Sequence, residues 1–200
     1  MASYLAGAVP FSNIAARWRA GVDLRRVGTG TVSGSGLAAV AGPGPLVVAG
    51  IADVAKGAVG PLLAGPDRPL LGAVAGGAAV CGHNWSVFLG GAGGRGISTA
   101  MGALAVRHRP GTAVLLAGLA AGRAVRQTGL VSFLAALAVT PVLARTHGRD
   151  GAVAGVAVVA PMLAKRVLGN RRPDPDGVSV RLARLVLDRD GWRAPDEAGR

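Results

Sequence analysis

Three stretches of the chain set polar and basic residues where an anion could be held. The first runs Asp23-Leu24-Arg25-Arg26-Val27-Gly28-Thr29-Gly30-Thr31-Val32-Ser33-Gly34-Ser35-Gly36. Glycines alternate with hydroxyl residues beside two arginines, so backbone N–H groups and hydroxyls are offered where a loop opens into a helix, an arrangement suited to phosphate. A flexible Gly/Ser/Thr linker has the same composition. The second is Asp53-Val54-Ala55-Lys56-Gly57, inside a long apolar run. A spacing of three puts carboxylate and ammonium on one helix face, which fits a self-neutralising ion pair and equally a lysine that also meets a ligand.

The third is Gly82-His83-Asn84-Trp85, followed after a short apolar stretch by Gly90-Gly91-Ala92-Gly93-Gly94-Arg95-Gly96-Ile97-Ser98-Thr99. A glycine-rich loop with one fixed cation and a hydroxyl-bearing helix start has the chemistry of a phosphate site. It is not a Walker A loop, since the Gly-Lys-Ser/Thr ending is absent. Glycines that only permit close packing, with His83 as an interfacial histidine, are the plainer reading. Cys81 stands alone, and His83, His108 and His147 lack a paired spacing, so neither a disulfide framework nor a metal site is indicated. No cofactor is indicated.

The elements that must position these residues are apolar. The 200-residue chain is 50% hydrophobic and only 16% charged, against about 25% charged in ordinary soluble domains. Its mean hydropathy is +0.45. Apolar runs fall at Ala2 to Ala16, Leu37 to Gly65, Leu70 to Leu89, Ile97 to Val106, Thr112 to Gly122, Gly129 to Ala144 and Ala152 to Ala164. The expected fold is all-α: a polytopic membrane helix bundle of about seven transmembrane segments, with five as the alternative if some short runs are half-helices. The first run lacks a basic leader and a small-residue exit, so it reads as a retained segment.

Net charge is +12, which would suit nucleic acid. The arginines, however, come in ones and twos between apolar runs, and stacking aromatics are few, so nucleic-acid binding is not expected. Seven crossings place eleven basic residues (Arg17 to Arg26, Arg95, Arg123, Arg126 and Lys165 to Arg172) on one side and five (Arg68, Arg107, Arg109, Arg145, Arg149) on the other. The positive-inside rule then puts the N-terminus outside and the C-terminus in the cytoplasm. The expected division is a membrane domain over 1–170 and a polar cytoplasmic tail over 171–200. Within that tail Val178 to Leu187 reads as an interfacial amphipathic segment or a tail without function.

The order of these motifs resembles the PlsY family, the bacterial membrane acyl-phosphate:glycerol-3-phosphate acyltransferases. Tyr4-Leu5-Ala6-Gly7-Ala8-Val9-Pro10 is similar to the family opening. Asp23-Leu24-Arg25 precedes the first glycine loop, Asp53 and Lys56-Gly57 match Asp-x-x-Lys-Gly, and Gly82-His83 with Gly93-Gly94-Arg95-Gly96 match Gly-His and Gly-Gly-Lys-Gly. Thr29 replaces a serine, Thr31 and Gly36 replace asparagines, and Arg95 replaces a lysine. The third family motif survives at Met162 to Arg171 as Lys165, in place of arginine, and Gly169.

The resemblance implies an acyltransferase of the bacterial plasma membrane that moves an acyl group from acyl phosphate to the sn-1 hydroxyl of glycerol 3-phosphate, giving lysophosphatidate for phospholipid synthesis. It implies Thr29, Lys56, His83 and Arg95 as catalytic. Substrate binding falls to Arg25, Gly28, Gly30, Thr31, Asp53, Gly93, Gly94, Gly96, Ser98 and Thr99. The acyl chain would lie open to membrane lipid. The alternative is a non-catalytic relative that keeps an anion or lipid-phosphate site; a small transporter is a third class, without an internal repeat to support it.

Overall fold

The computed structural model describes residues 1–170 and 177–188, and every regular element among them is helical. The expected linker residues 171–176 and the tail beyond Asp188 lie outside the described residues. The first apolar run divides into α1 (Ala2–Ala8) and α2 (Phe11–Ala20), because Pro10 has no N–H to continue the ladder. The second divides at Gly42, whose φ of 82° ends α3 (Gly34–Ala41) and lets α4 (Pro43–Ala64) start with proline in its first turn. Next come α5 (Pro69–Asn84), α6 (Ile97–Ala105), α7 (Arg109–Ala124), α8 (Thr128–Leu168) and α9 (Val178–Leu187). Short 3₁₀ turns occupy Leu24–Arg26 and Val87–Leu89.

Helix α8 is two antiparallel arms, 128–147 and 149–168, reversing at Gly148 (φ 61°, ψ −140°). A Cβ at Gly151 would strike the Leu143 carbonyl and one at Gly155 would press on Thr140, so small residues let the arms touch backbone to backbone. The same device joins α4 to α6, where Gly57 abuts the Thr99 carbonyl and Gly102 abuts that of Val54.

Polarity runs opposite to that of a soluble protein. Val47, Val48, Ile51, Leu62, Leu63, Leu116 and Leu134 face outward, whereas Asp53, Lys56, Arg95, Lys165 and Arg166 are buried. Apolar faces of this extent outside a charged interior are what lipid demands. By length and apolarity Pro43–Ala64 qualifies as a spanning helix, and the apolar stretch Thr128–Leu168 supplies two arms of about 20 residues, each long enough to cross. At 7 and 9 residues, α1 and α6 are too short to cross about 30 Å alone.

Candidate active site

The break between α1 and α2 leaves the Val9 carbonyl without a helical partner, and Lys56 uses it. Its Nζ donates to Val9 O at 2.7 Å and lies 2.8 Å from Asp53 Oδ1. Ser12 Oγ donates to Asp53 Oδ2 at 3.4 Å. His83, at the end of α5, brings Nδ1 to 3.8 Å from Asp53 Oδ1, within ion-pair reach but beyond a hydrogen bond. The expected ion pair therefore exists, and four elements converge on it: α2, α4, α5 and the chain break.

Both glycine loops lie over this cluster. Val32 N–H donates to Gly93 O at 3.0 Å and Gly94 N–H donates to His83 O at 3.1 Å. A Cβ at Gly94 would collide with His83 Nε2 and the Val32 carbonyl, so only glycine allows the imidazole to lie between the loops. Gly28, Gly30 and Gly96 have φ of 51°, 72° and 78°, left-handed values that glycine adopts without strain. Asn170, just past α8, bonds both loops: Gly93 N–H donates to its Oδ1 at 3.0 Å, and its Nδ2 donates to Gly93 O at 2.9 Å and Gly30 O at 3.2 Å.

The entrance is charged. Asp23 caps the 3₁₀ turn by accepting from Arg25 N–H at 3.0 Å. Arg25 Nη2 donates back to it at 2.7 Å and Arg17 Nη2 at 2.5 Å. The Arg25 guanidinium holds the Asp23 carboxyl well below the usual carboxylate range, and Asp23 raises Arg25 in turn. Arg25 Nη1 also reaches Leu89 O at 3.3 Å, tying the entrance to the stretch before the second loop. Thr29 is exposed and its hydroxyl donates to Thr31 Oγ1 at 2.9 Å.

Arg95 does not face the ion pair. It is buried, donating from Nη1 to Lys165 O at 3.0 Å, with Nε 2.6 Å from Asp188 Oδ1 at the end of α9. Lys165, the lysine of the third motif and one of the charges that set the topology, is instead the cation beside the loop. Its Nζ approaches Gly91 O at 3.5 Å and sits 5.3 Å from the Trp85 ring centroid. Thr99 is fully buried with its carbonyl against Gly57, so it packs α6 on α4. Ser98, beside it on the first turn of α6, is half-buried. Among the described residues no three His, Cys, Asp or Glu side chains gather to hold a metal.

A cavity of about 10 Å³, the size of one water, is lined by Pro10, Ser12, Asp53, Lys56, His83 and Gly94. Beyond Val9 and Pro10 a wider cleft of about 460 Å³ opens between Ile14, Phe88, Arg17 and Arg25. It joins an apolar wall to two guanidinium groups next to the buried cluster. Such an arrangement suits an amphiphile with an anionic head.

A family model described as glycerol-3-phosphate acyltransferase matches residues 1–171. The chain belongs to this family. It is 42% identical over 122 residues to glycerol-3-phosphate acyltransferase 5 of Dehalococcoides mccartyi, covering 60% of this chain and 52% of that one. To the glycerol-3-phosphate acyltransferase of Jannaschia sp. it is 34% identical over 172 residues, covering 84% and 83%. The match thus spans about half the length of the first relatives, 52% and 44%, and over four-fifths of others. A crystal structure of PlsY, an integral membrane glycerol 3-phosphate acyltransferase, in its glycerol 3-phosphate form superposes with a TM-score of 0.70. The sequences are 27% identical, and the match covers 82% of this chain and 84% of that one. The lysophosphatidic acid form gives 0.69 at 25% identity with the same coverage.

The family membership, the helical bundle and the membrane setting all agree with the sequence reading. Two participants escaped it: Asn170 and Ser12. A hydroxyl two residues past Pro10 was the only sequence signal for Ser12.

Proposed function

We propose that this chain transfers an acyl group from acyl phosphate to the sn-1 hydroxyl of glycerol 3-phosphate, producing lysophosphatidate for bacterial phospholipid synthesis. The observation that carries this reading is the Asp53–Lys56–His83 cluster beneath two joined glycine loops, in a bundle that resembles PlsY in its glycerol 3-phosphate form.

In the reaction the sn-1 oxygen bonds to the acyl carbon and the bond from that carbon to the phosphate oxygen breaks. Phosphate leaves with the electron pair, and the hydroxyl proton passes toward His83 or the departing phosphate. The donor is already an activated anhydride, so what remains is to hold two anions together and align one hydroxyl. The glycine backbones at Gly28, Gly30, Gly93, Gly94 and Gly96, with Thr31, cradle phosphate oxygens. Arg25 and Lys56 neutralise charge, and Thr29 orients an oxygen. Asp53 fixes Lys56 and faces His83 Nδ1, leaving Nε2 toward the loops. Ser98 and Thr99 would act at the start of α6, and Arg95 would join the set only after releasing Asp188.

The site end of the bundle, with Arg17 to Arg26, Arg95 and Lys165, is assigned to the cytoplasm and the N-terminus to the outside of the plasma membrane. The acyl chain lies along the apolar wall of the cleft near Ile14 and Phe88.

Purified protein incubated with palmitoyl phosphate and labelled glycerol 3-phosphate, with palmitoyl-CoA as competing donor, tests the assignment. Labelled lysophosphatidate formed from palmitoyl phosphate supports it; product from palmitoyl-CoA alone overturns the donor. The competing reading, a non-catalytic relative with an anion site, draws on Arg95 being engaged by Asp188. Glycerol 3-phosphate binding without turnover from either donor would favour it.

A further inference from the structure

We infer that Asn170 is a positioning residue that sets the separation of the two glycine loops, and through it the alignment of the two substrates. Its side-chain amide pairs with Gly93 as a neighbouring strand would, accepting from Gly93 N–H at 3.0 Å and donating to Gly93 O at 2.9 Å. The remaining amide hydrogen reaches Gly30 O at 3.2 Å. Three of the four hydrogen bonds an asparagine can make are thereby spent on two loops far apart in sequence.

Gly93 O is the shared node, since it also accepts from Val32 N–H at 3.0 Å. The clamp comes from the end of α8, where Gly169 terminates the helix at φ 63° and aims Asn170 back over the site. The Val32–Gly93 bond and the Arg25–Leu89 contact also join the first loop to the second segment. A glycine-rich backbone has little intrinsic preference to hold such a geometry.

This inference rests on the phosphate-cradle reading proposed above. If each loop binds its own anion through its own N–H groups, the clamp has little to add to either affinity. What it fixes is the distance between hydroxyl and acyl carbon, where a displacement of about 1 Å is enough to cost on the order of 100-fold in rate.

Asn170→Ala, in the full chain in detergent, should therefore lower kcat at least about tenfold while the KM values for glycerol 3-phosphate and palmitoyl phosphate change less than about threefold. Hydrogen exchange should quicken in peptides covering 28–33 and 90–96, with 43–64 unchanged. A raised KM with kcat intact, or unchanged kinetics, overturns the positioning role even if exchange quickens. Absence of wild-type turnover defeats the proposed reaction instead. The clamp is then decided by exchange alone: protection lost in both loops sustains it, and protection retained in either overturns it.

Discussion

Arg95 Nε lies 2.6 Å from Asp188 Oδ1, so the cation of the second glycine loop is paired with a carboxylate from beyond the family match, which ends at residue 171. The guanidinium serves two directions at once, since Nη1 donates to Lys165 O on α8. A buried arginine stripped of this carboxylate is costly, but Asp188 is 29% exposed and water offsets part of the loss. A double-mutant cycle of Arg95→Ala and Asp188→Ala, read by thermal unfolding, should give a coupling on the order of 1 kcal/mol. Strict additivity would mean that the contact carries no energy.

The same geometry shapes the kinetic outcome at this position. Lysine carries the charge but cannot reproduce two divergent contacts. Arg95→Lys should keep measurable turnover in a less stable protein, whereas Arg95→Ala should lose on the order of 100-fold in turnover if the charge acts on the transferring phosphate. Wild-type kinetics for a well-folded Arg95→Ala would reduce Arg95 to a tie between the loop, α8 and α9.

Asp53 and Lys56 neutralise each other inside the bundle. Removing the carboxylate alone strands a buried ammonium that keeps the Val9 carbonyl and the Phe11 ring, 5.7 Å to its centroid, but no opposite charge among the described residues. Asp53→Ala should therefore lower folded yield more than Asp53→Ala combined with Lys56→Met, because the double variant leaves no net buried charge. Size-exclusion recovery from matched membranes measures this, and equal recovery would show that the two residues do not depend on each other.

This pair was legible in the sequence because a spacing of three fixes two side chains on one helix face whatever the tertiary structure. The apolar runs were legible for the same local reason, and proline and glycine marked their breaks. Asn170 was not, because a polar residue after a helix end carries no periodic signal and its partners sit 77 and 140 positions away. Lys165 and Arg166 were counted as cytoplasmic charges from their place at a run's end. The structure buries both, with Arg166 donating to Gly129 O and Leu185 O at 3.0 Å and to Ser132 Oγ at 2.7 Å. Charge counting registers sign and position but not the carbonyls that α9 and the other arm of α8 supply.

The proposed orientation rests on where the basic residues gather. Ser35 is exposed and Ala92 half-buried at the site end of the bundle. Single cysteines at either position in a Cys81→Ser background should resist an impermeant maleimide in intact cells and react after lysis. Labelling before lysis would reverse the assignment.

Asp23 gives a pH dependence of definite sign. Its folded carboxyl titrates below its ordinary value near 3.9, so the unfolded chain takes up this proton first as the pH falls. The stabilisation is complete above that ordinary value and is lost as the pH drops toward the folded one. Arg17 and Arg25 are 55% and 36% exposed, which limits the contribution to about 1 kcal/mol or less. The gap in melting temperature between wild type and Asp23→Asn should stay constant from pH 7 to 5 and close below about pH 4. A gap that persists at pH 3 would assign Asp23 a role independent of its charge.

Gly94 tests whether His83 needs its place between the loops. Both His83 Nε2 and the Val32 carbonyl crowd the space that the absent Cβ of Gly94 would fill. Alanine there must push the imidazole or part the loops, and a shift of about 1 Å in a group that faces the reacting centre costs on the order of 100-fold in rate. Gly44, in the first turn of α4, has open space around its own missing Cβ and serves as the control. Gly94→Ala should lose about 100-fold in turnover in the protein that folds, with folded yield also lowered because the Val32 carbonyl is backbone, while Gly44→Ala keeps both. If Gly94→Ala retains full turnover, His83 does not need its place between the loops, and its assignment to the proton of the acceptor hydroxyl fails with it.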